Sequence, residues 1–129
     1  MRNKHLGIGE PGYHPLKKLK VILAGLRYTV LTDFTVAYKL VLTIPVLAGC
    51  FFLRDSIDAI LIIVATALVL TAEILNSAIE AICDFIEPNI NPRIKIIKDV
   101  SAAAVGVAIT AWLIVIVWQA IQLVKALVG

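Results

Sequence analysis

One long apolar stretch constrains the fold of this chain more than any other feature. It runs from Ala59 to Ala72 and continues without a break into a segment that carries carboxylates. The polar residues of that segment are three or four positions apart: Glu73, Asn76, Glu80 and Asp84. On a helix that turns about 100° per residue they form one narrow polar stripe. Ionisable groups inside an apolar span are costly unless they face partners, ions or water, so the stripe marks a candidate functional site.

The composition indicates an integral membrane protein. Of the 129 residues, 60% are hydrophobic and only 16% are charged, which is far from the balance of a soluble domain. Polar turn sequences separate the apolar stretches and predict three transmembrane helices, at about 36–53, 57–86 and 100–124. The two cysteines, Cys50 and Cys83, lie in or beside apolar segments without a ligand spacing and are interpreted as small buried side chains. The predicted fold class is all-α.

Residues 1–35 are predicted to lie outside the bilayer core. Residues 1–14 are polar and rich in glycine, which is typical of a flexible tail. Residues 15–35 have helical spacing of apolar residues with basic residues between them, which predicts an amphipathic surface helix; a helix packed only on protein is the alternative. Residues 15–129 are therefore interpreted as a single membrane-embedded domain.

The distribution of lysine and arginine predicts the orientation of the spans in the membrane. Ten of the 12 lysines and arginines lie in the N-terminal region or in the second loop, so both are expected to be cytoplasmic. A basic end beside membrane spans suggests anionic lipid headgroups rather than nucleic acid. At 1.5 Å per residue, Glu73 lies about 21 Å and Glu80 about 31 Å along the helix from Ala59. The stripe is thus expected at the cytoplasmic edge of a hydrocarbon core about 30 Å thick.

Phosphoryl transfer is the chemistry that these residues favour. Carboxylates can hold Mg²⁺ on nucleotide phosphates, another carboxylate can accept a proton from an attacking hydroxyl, and Lys98 supplies positive charge. Simpler interpretations stay open for several residues. Glu80 and Asp84 could be solvated last turns of a helix, Asp99 could be the N-cap of the third span, and Lys98 a cation flanking the membrane.

Two further expectations concern assembly and a rival function. Small residues recur four apart at the start of the third span, at Ala102 and Gly106 and at Ala104 and Ala108, and such faces let helices approach closely. We therefore expect a homo-oligomer. The rival function is a non-enzymatic cation-binding or conducting membrane module, in which Glu73 and Glu80 would line a pathway.

The chain resembles the small prokaryotic lipid kinases, the diacylglycerol kinases and undecaprenol kinases. The resemblance rests on the E-x-x-N-S-A-I-E-x-x-x-D pattern from Glu73 to Asp84, on Lys98-Asp99 and on Gly25-Leu26-Arg27. It covers roughly residues 15–120. It implies a homotrimer in the bacterial inner membrane, with composite active sites between neighbouring subunits and phosphate passing from ATP to diacylglycerol or to undecaprenol.

The resemblance also implies roles for individual residues. Glu73 is similar to the general base that deprotonates the lipid hydroxyl, and Glu80 and Asp33 to the ligands of Mg²⁺. The residues similar to nucleotide contacts are His14, Asn76, Asp84, Asn89, Asn91, Lys98 and Asp99.

The sequence departs from the family pattern near the surface helix. Asp33 stands where a glutamate is usual, and His14 where an arginine is common. Tyr38-Lys39 replaces a polar and acidic pair. The block from Glu73 to Glu80 resembles diacylglycerol kinases more closely, so diacylglycerol is the expected acceptor, and the departures in the surface helix leave undecaprenol as the alternative.

Overall fold

The computed structural model describes Gly12 and residues 14–129. The predicted flexible tail, residues 1–14, lies outside the described residues except for Gly12 and His14. Four helices and no strand are found in the described part of the chain: α1 (Pro15–Thr32), α2 (Phe34–Leu53), α3 (Ser56–Ile86) and α4 (Pro92–Val128). The chain divides into two compact units, Met1–Phe34 and Thr35–Gly129, which are described separately.

The three later helices are each long and apolar enough to cross a membrane. For the residues that the structure describes, the prediction of an all-α fold with three such helices is therefore confirmed. The predicted third span, 100–124, lies within α4, which itself begins eight positions earlier. This early start has a local cause. The Asn91 side-chain oxygen accepts a hydrogen bond of 2.9 Å from the Arg93 N–H, and Pro92 fits the first turn, where its missing N–H costs nothing.

Helix α1 forms the described part of the first unit. It starts at Pro15 and ends at Thr32, so it is shorter than the predicted 15–35, and Thr35 belongs to α2. Asp33 has extended backbone angles and stops the helix. The hydroxyls of Thr29 and Thr32 donate to carbonyls four residues earlier, a pattern that slightly weakens helices. Attachment of α1 to a membrane surface stays a prediction.

The core of the second unit lies between α3 and α4, which pack closely against each other. It consists of Cys50 from α2, Ile62, Ala65 and Val69 from α3, and Trp112 and Ile116 from α4. Both cysteines are buried, as predicted. The Trp112 indole N–H donates to the Thr66 hydroxyl at 3.2 Å. Such a bond contributes only about 0.6 kcal/mol on average between membrane helices, so close packing of the large ring is the greater stabilising effect.

Helix α2 joins this pair through side chains and one close approach. At Gly49, a β-carbon would lie only 2.5 Å from Cδ2 of Leu123 on α4. The Thr43 hydroxyl lies 3.4 Å from that of Thr66 on α3. These contacts hold α2 beside α3 and α4, and the first half of α2 lies opposite Glu73.

Candidate active site

Glu73 lies buried on α3, with only 5% of its surface exposed. Its Oε1 accepts a hydrogen bond of 2.6 Å from Lys39 Nζ, and its Oε2 accepts one of 3.1 Å from the Thr35 hydroxyl, both on α2. A buried carboxylate is tolerated when it is paired and hydrogen-bonded, and both conditions are met here. The structure therefore gives Glu73 the partners that its sequence position required.

Lys39 is the cationic partner of Glu73. Its side chain is fully buried and forms an ion pair with the Glu73 carboxylate. Pairing replaces water as the partner of the ammonium group, so the side chain need not reach the membrane surface. The available sequence signal was a lysine inside a predicted span, because a charge there needs an anionic partner or a position at the interface.

The next polar residues of the stripe connect α3 to α4. The Asn76 side-chain oxygen accepts a hydrogen bond of 2.8 Å from the Ser101 hydroxyl on α4, and its amide nitrogen donates to Glu80 Oε1 at 3.2 Å. Glu80 is exposed. Ser101 was not predicted as a site residue, although it lies only two residues after the Lys98-Asp99 pair. The stripe thus passes from a buried carboxylate to an exposed one within two helical turns.

A cleft opens where α3 ends and α4 begins. It has a volume of about 250 Å³ and is lined by Asp84, Glu87, Asn89, Asn91, Lys95 and Lys98, together with apolar residues of the loop. Lys98 Nζ donates to Asp84 Oδ1 at 2.5 Å, and the backbone N–H of Asn89 donates to a Glu87 carboxylate oxygen at 3.2 Å. Asp84, Asn89, Asn91 and Lys98, four of the predicted nucleotide contacts, therefore share one polar cleft.

Asp99 does not cap the third span, which corrects the simpler interpretation of this residue. It lies in the second turn of α4, and its carboxylate accepts a hydrogen bond of 2.6 Å from Lys95 Nζ, four residues earlier. Asn91 takes the capping position because the loop prolines end α3 and start α4 around it. Asp99 is therefore connected to the cleft through Lys95, which lines the cleft.

The comparison with family models decides the identity of the chain. The model described as Prokaryotic diacylglycerol kinase matches residues 20–121. The chain belongs to the prokaryotic diacylglycerol kinase family. A comparison with curated protein sequences finds no match. The resemblance inferred from the polar stripe is thus confirmed, and the three long apolar helices agree with a membrane lipid kinase.

The match to the prokaryotic diacylglycerol kinase family includes every predicted site residue except His14. His14 directly precedes α1 and Asp33 follows its last turn, so both belong to the first unit. The other predicted site residues belong to the second unit. The structure brings Glu73, Asn76 and Glu80 into one stripe and the loop residues into one cleft, while His14 and Asp33 are described only within their own unit.

The carboxylates of the second unit could bind Mg²⁺ only together with phosphate oxygens of a nucleotide. Among the residues that the structure describes, no group of three histidine, cysteine, aspartate or glutamate residues could hold a metal ion. Mg²⁺ commonly uses one or two protein carboxylates, with nucleotide phosphates and water as its other ligands. Glu80 fits this pattern. A carboxylate has about four lone-pair sites, and the bond from Asn76 occupies one of them.

A second polar cluster lies at the opposite end of the helices. Asp58 accepts hydrogen bonds from the buried Gln119 at 2.9 Å and from Arg54 at 3.1 Å. Because α3 separates Asp58 from Glu80 by 22 positions, about 33 Å along the helix, this cluster is remote from the cleft. It ties α3 to α4 and is interpreted as structural.

Proposed function

We propose that the chain is an ATP- and Mg²⁺-dependent kinase that phosphorylates the hydroxyl group of a membrane lipid, with diacylglycerol as the preferred acceptor and phosphatidic acid as the product. One observation carries this proposal. A buried carboxylate, Glu73, begins a polar line that continues through Asn76 and Glu80 to a cleft lined by Asp84 and Lys98. Family membership supports the lipid kinase class.

Glu73 is proposed as the general base. Lys39 and Thr35 each occupy one lone-pair site of its carboxylate, so sites remain for the hydrogen of a lipid hydroxyl. As that hydroxyl oxygen bonds to the γ-phosphorus, its proton passes to Glu73. The bond between the γ-phosphorus and the bridging oxygen breaks at the same time, and ADP leaves.

The nucleotide is proposed to lie at the cytoplasmic end of α3. Lys98 would bind phosphate oxygens, and Asn76, Asp84, Asn89, Asn91, Asp99 and His14 would position the nucleotide. Glu80 and Asp33 would hold Mg²⁺, which when bound supplies positive charge that stabilises the transferring phosphoryl group. Glu80 lies seven residues from Glu73, about 10 Å along the axis, so the transferred phosphate could lie between metal and base.

The proposed location in the cell rests on the positive charges that also predict the orientation of the spans. We place the protein in the bacterial inner membrane with the N-terminus and the loop between α3 and α4 in the cytoplasm. This orientation puts the cleft where soluble ATP reaches it and puts Glu73 where a lipid hydroxyl lies. The rival cation-conducting module is disfavoured, because a fully buried lysine beside Glu73 would repel the conducted ion.

Phosphate transfer from labelled ATP tests the proposal directly. Diacylglycerol and undecaprenol are offered separately in mixed micelles with Mg²⁺, and we expect label in diacylglycerol. Label only in undecaprenol would keep the kinase mechanism and replace the acceptor. Absence of label from both lipids, with protein shown to be folded and in its native oligomeric state, would contradict the proposed reaction.

The oligomer is proposed to be a homotrimer with active sites shared between neighbouring subunits. Gly106 lies exposed on α4 with nothing within 4 Å of the position of an added β-carbon, so this small-residue face is open within one subunit. We expect Gly106→Leu to reduce the trimer seen by native mass spectrometry in mild detergent, because the added side chain keeps helices apart. Kinase activity should fall with it.

The neighbouring exposed position provides the control for this substitution. Val107→Leu adds one methylene outside the small-residue face and should leave the trimer intact. Wild-type protein that is monomeric under these conditions would contradict the trimer itself. If Gly106→Leu is still trimeric, the interface between subunits lies on another face than the small-residue face of α4.

A further inference from the structure

Lys39 forms all its polar contacts within the protein. Its Nζ donates to Glu73 Oε1 at 2.6 Å and to the Thr35 backbone carbonyl at 3.1 Å. It also lies 4.6 Å from the centroid of the Tyr38 ring, within the range of a cation–π interaction. An ammonium group has three hydrogens to donate, and these two hydrogen bonds use two of them. Because the side chain is also fully buried, Lys39 is not exposed for direct contact with a lipid or a nucleotide.

The contacts of Lys39 determine the condition of the carboxylate beside it. An isolated carboxylate in an apolar environment takes up a proton rather than remain charged, and a protonated carboxyl cannot accept another proton from a hydroxyl. The Lys39 ammonium compensates the charge of Glu73. The hydroxyl of Thr35 fixes the second oxygen, so the carboxylate is held in one orientation from two sides.

We propose that Lys39 is a positioning residue of this lipid kinase, which acts through Glu73 by holding its carboxylate charged and correctly oriented for proton transfer. This inference rests on the proposed role of Glu73 as the general base. A purely structural ion pair between α2 and α3 is the competing explanation. Such a pair would affect stability without a specific effect on the chemical step.

Two substitutions separate charge from hydrogen bonding. Lys39→Arg keeps the positive charge, whereas Lys39→Gln keeps a hydrogen-bond donor and removes the charge. We expect Lys39→Gln to lower kcat for lipid phosphorylation by about 10²-fold or more, the contribution typical of a general base, with the KM for ATP changed less than about threefold. Lys39→Arg should restore kcat to within about tenfold of wild type. Steady-state kinetics in mixed micelles, below the unfolding temperature of every variant, measures these values.

The Arg54 and Asp58 pair supplies a matched control. Arg54→Gln removes a cation from an ion pair in the cluster remote from the cleft and should leave kcat unchanged.

The proposal is overturned if Lys39→Gln is folded and keeps kcat within threefold of wild type, or if Lys39→Arg loses as much kcat as Lys39→Gln. If Lys39→Gln does not fold, the single variants Lys39→Arg and Thr35→Val test the proposal instead. Wild-type-like kcat in Thr35→Val together with a 10²-fold loss in Lys39→Arg would also overturn it.

Measurement of Glu73→Gln in the same series separates this inference from the proposed function. Full activity in Glu73→Gln would show that Glu73 is not the general base. The positioning role proposed for Lys39 would then fail as well. Loss of activity in Glu73→Gln with near-normal kcat in Lys39→Gln would leave the general base in place and reject only the role of Lys39.

Discussion

Glu73→Gln is expected to lower lipid phosphorylation by about 10²–10⁴-fold, the contribution of a general base, while Mg·ATP still protects the protein from proteolysis. The substitution keeps the size of the side chain, and its amide oxygen can still accept from Lys39. It removes the ability to take the proton of the lipid hydroxyl. Because Asn76 lies further along α3 and Asp84, Asn89, Asn91 and Lys98 line the cleft, removal of the Glu73 charge should change ATP binding little. Labelled phosphate transfer and a nucleotide protection assay measure the two effects.

The same substitution has a second consequence that requires its own control. Removing one partner of a buried ion pair costs about 3–5 kcal/mol, because the other charge is left buried and uncompensated. Glu73→Gln should therefore unfold at a lower temperature than wild type. The double variant Glu73→Gln/Lys39→Met removes both charges and should recover much of this stability without recovering activity. Recovery of activity would show that loss of folding, and not loss of the base, caused the defect.

The second large effect is expected for Glu80→Gln, which should raise the KM for Mg·ATP by at least tenfold. A neutral amide binds Mg²⁺ far less well than a carboxylate, because this hard cation favours charged oxygen ligands. The effect should be partly overcome by raising the Mg²⁺ concentration. Kinetics at varied Mg²⁺ and fixed ATP measure it. An unchanged dependence on Mg²⁺ would remove Glu80 from the metal site.

Two further variants place the Glu80 result in context. Asp33→Asn should show the same dependence on Mg²⁺, since Asp33 is proposed as the second carboxylate ligand. Asp55→Asn removes an exposed carboxylate from the turn before α3 and should leave the Mg²⁺ dependence of the kinase unchanged. A similar defect in Asp55→Asn would indicate a general effect of net charge.

Much of the fold was predictable because apolar length determines it. A run long enough to cross the hydrocarbon core can satisfy its backbone only as a helix, and three such runs predict α2, α3 and α4. The helix ends were less predictable because local side chains set them. Asn91 and Pro92 start α4 well before the apolar run, and Asp33 ends α1 before the apolar pattern does.

The arrangement of the candidate site was predictable only in part. The order of Glu73, Asn76 and Glu80 along one face follows from helical spacing within a single element. Lys39 lies 34 positions earlier on another helix, and no periodicity places it beside Glu73. Ser101 was missed for the same reason. The simpler interpretation of Asp99 as a helix cap was wrong, because its carboxylate binds Lys95 within the same helix and Asn91 caps the helix start.

The pair of Lys39 and Glu73 also constrains how the chain enters the bilayer. During synthesis α2 emerges before α3, so Lys39, in the second turn of α2, enters before its partner. A lone charged side chain in an inserting helix is costly, up to about 2.5–3.5 kcal/mol at the helix centre. Only the two residues Arg54 and Asp55 separate the helices, so α3 can follow as the second arm of a hairpin. Entry of both arms together places the opposite charges in the membrane as a neutral unit. The pair that is proposed to serve catalysis is therefore also expected to assist the insertion of α2 and α3.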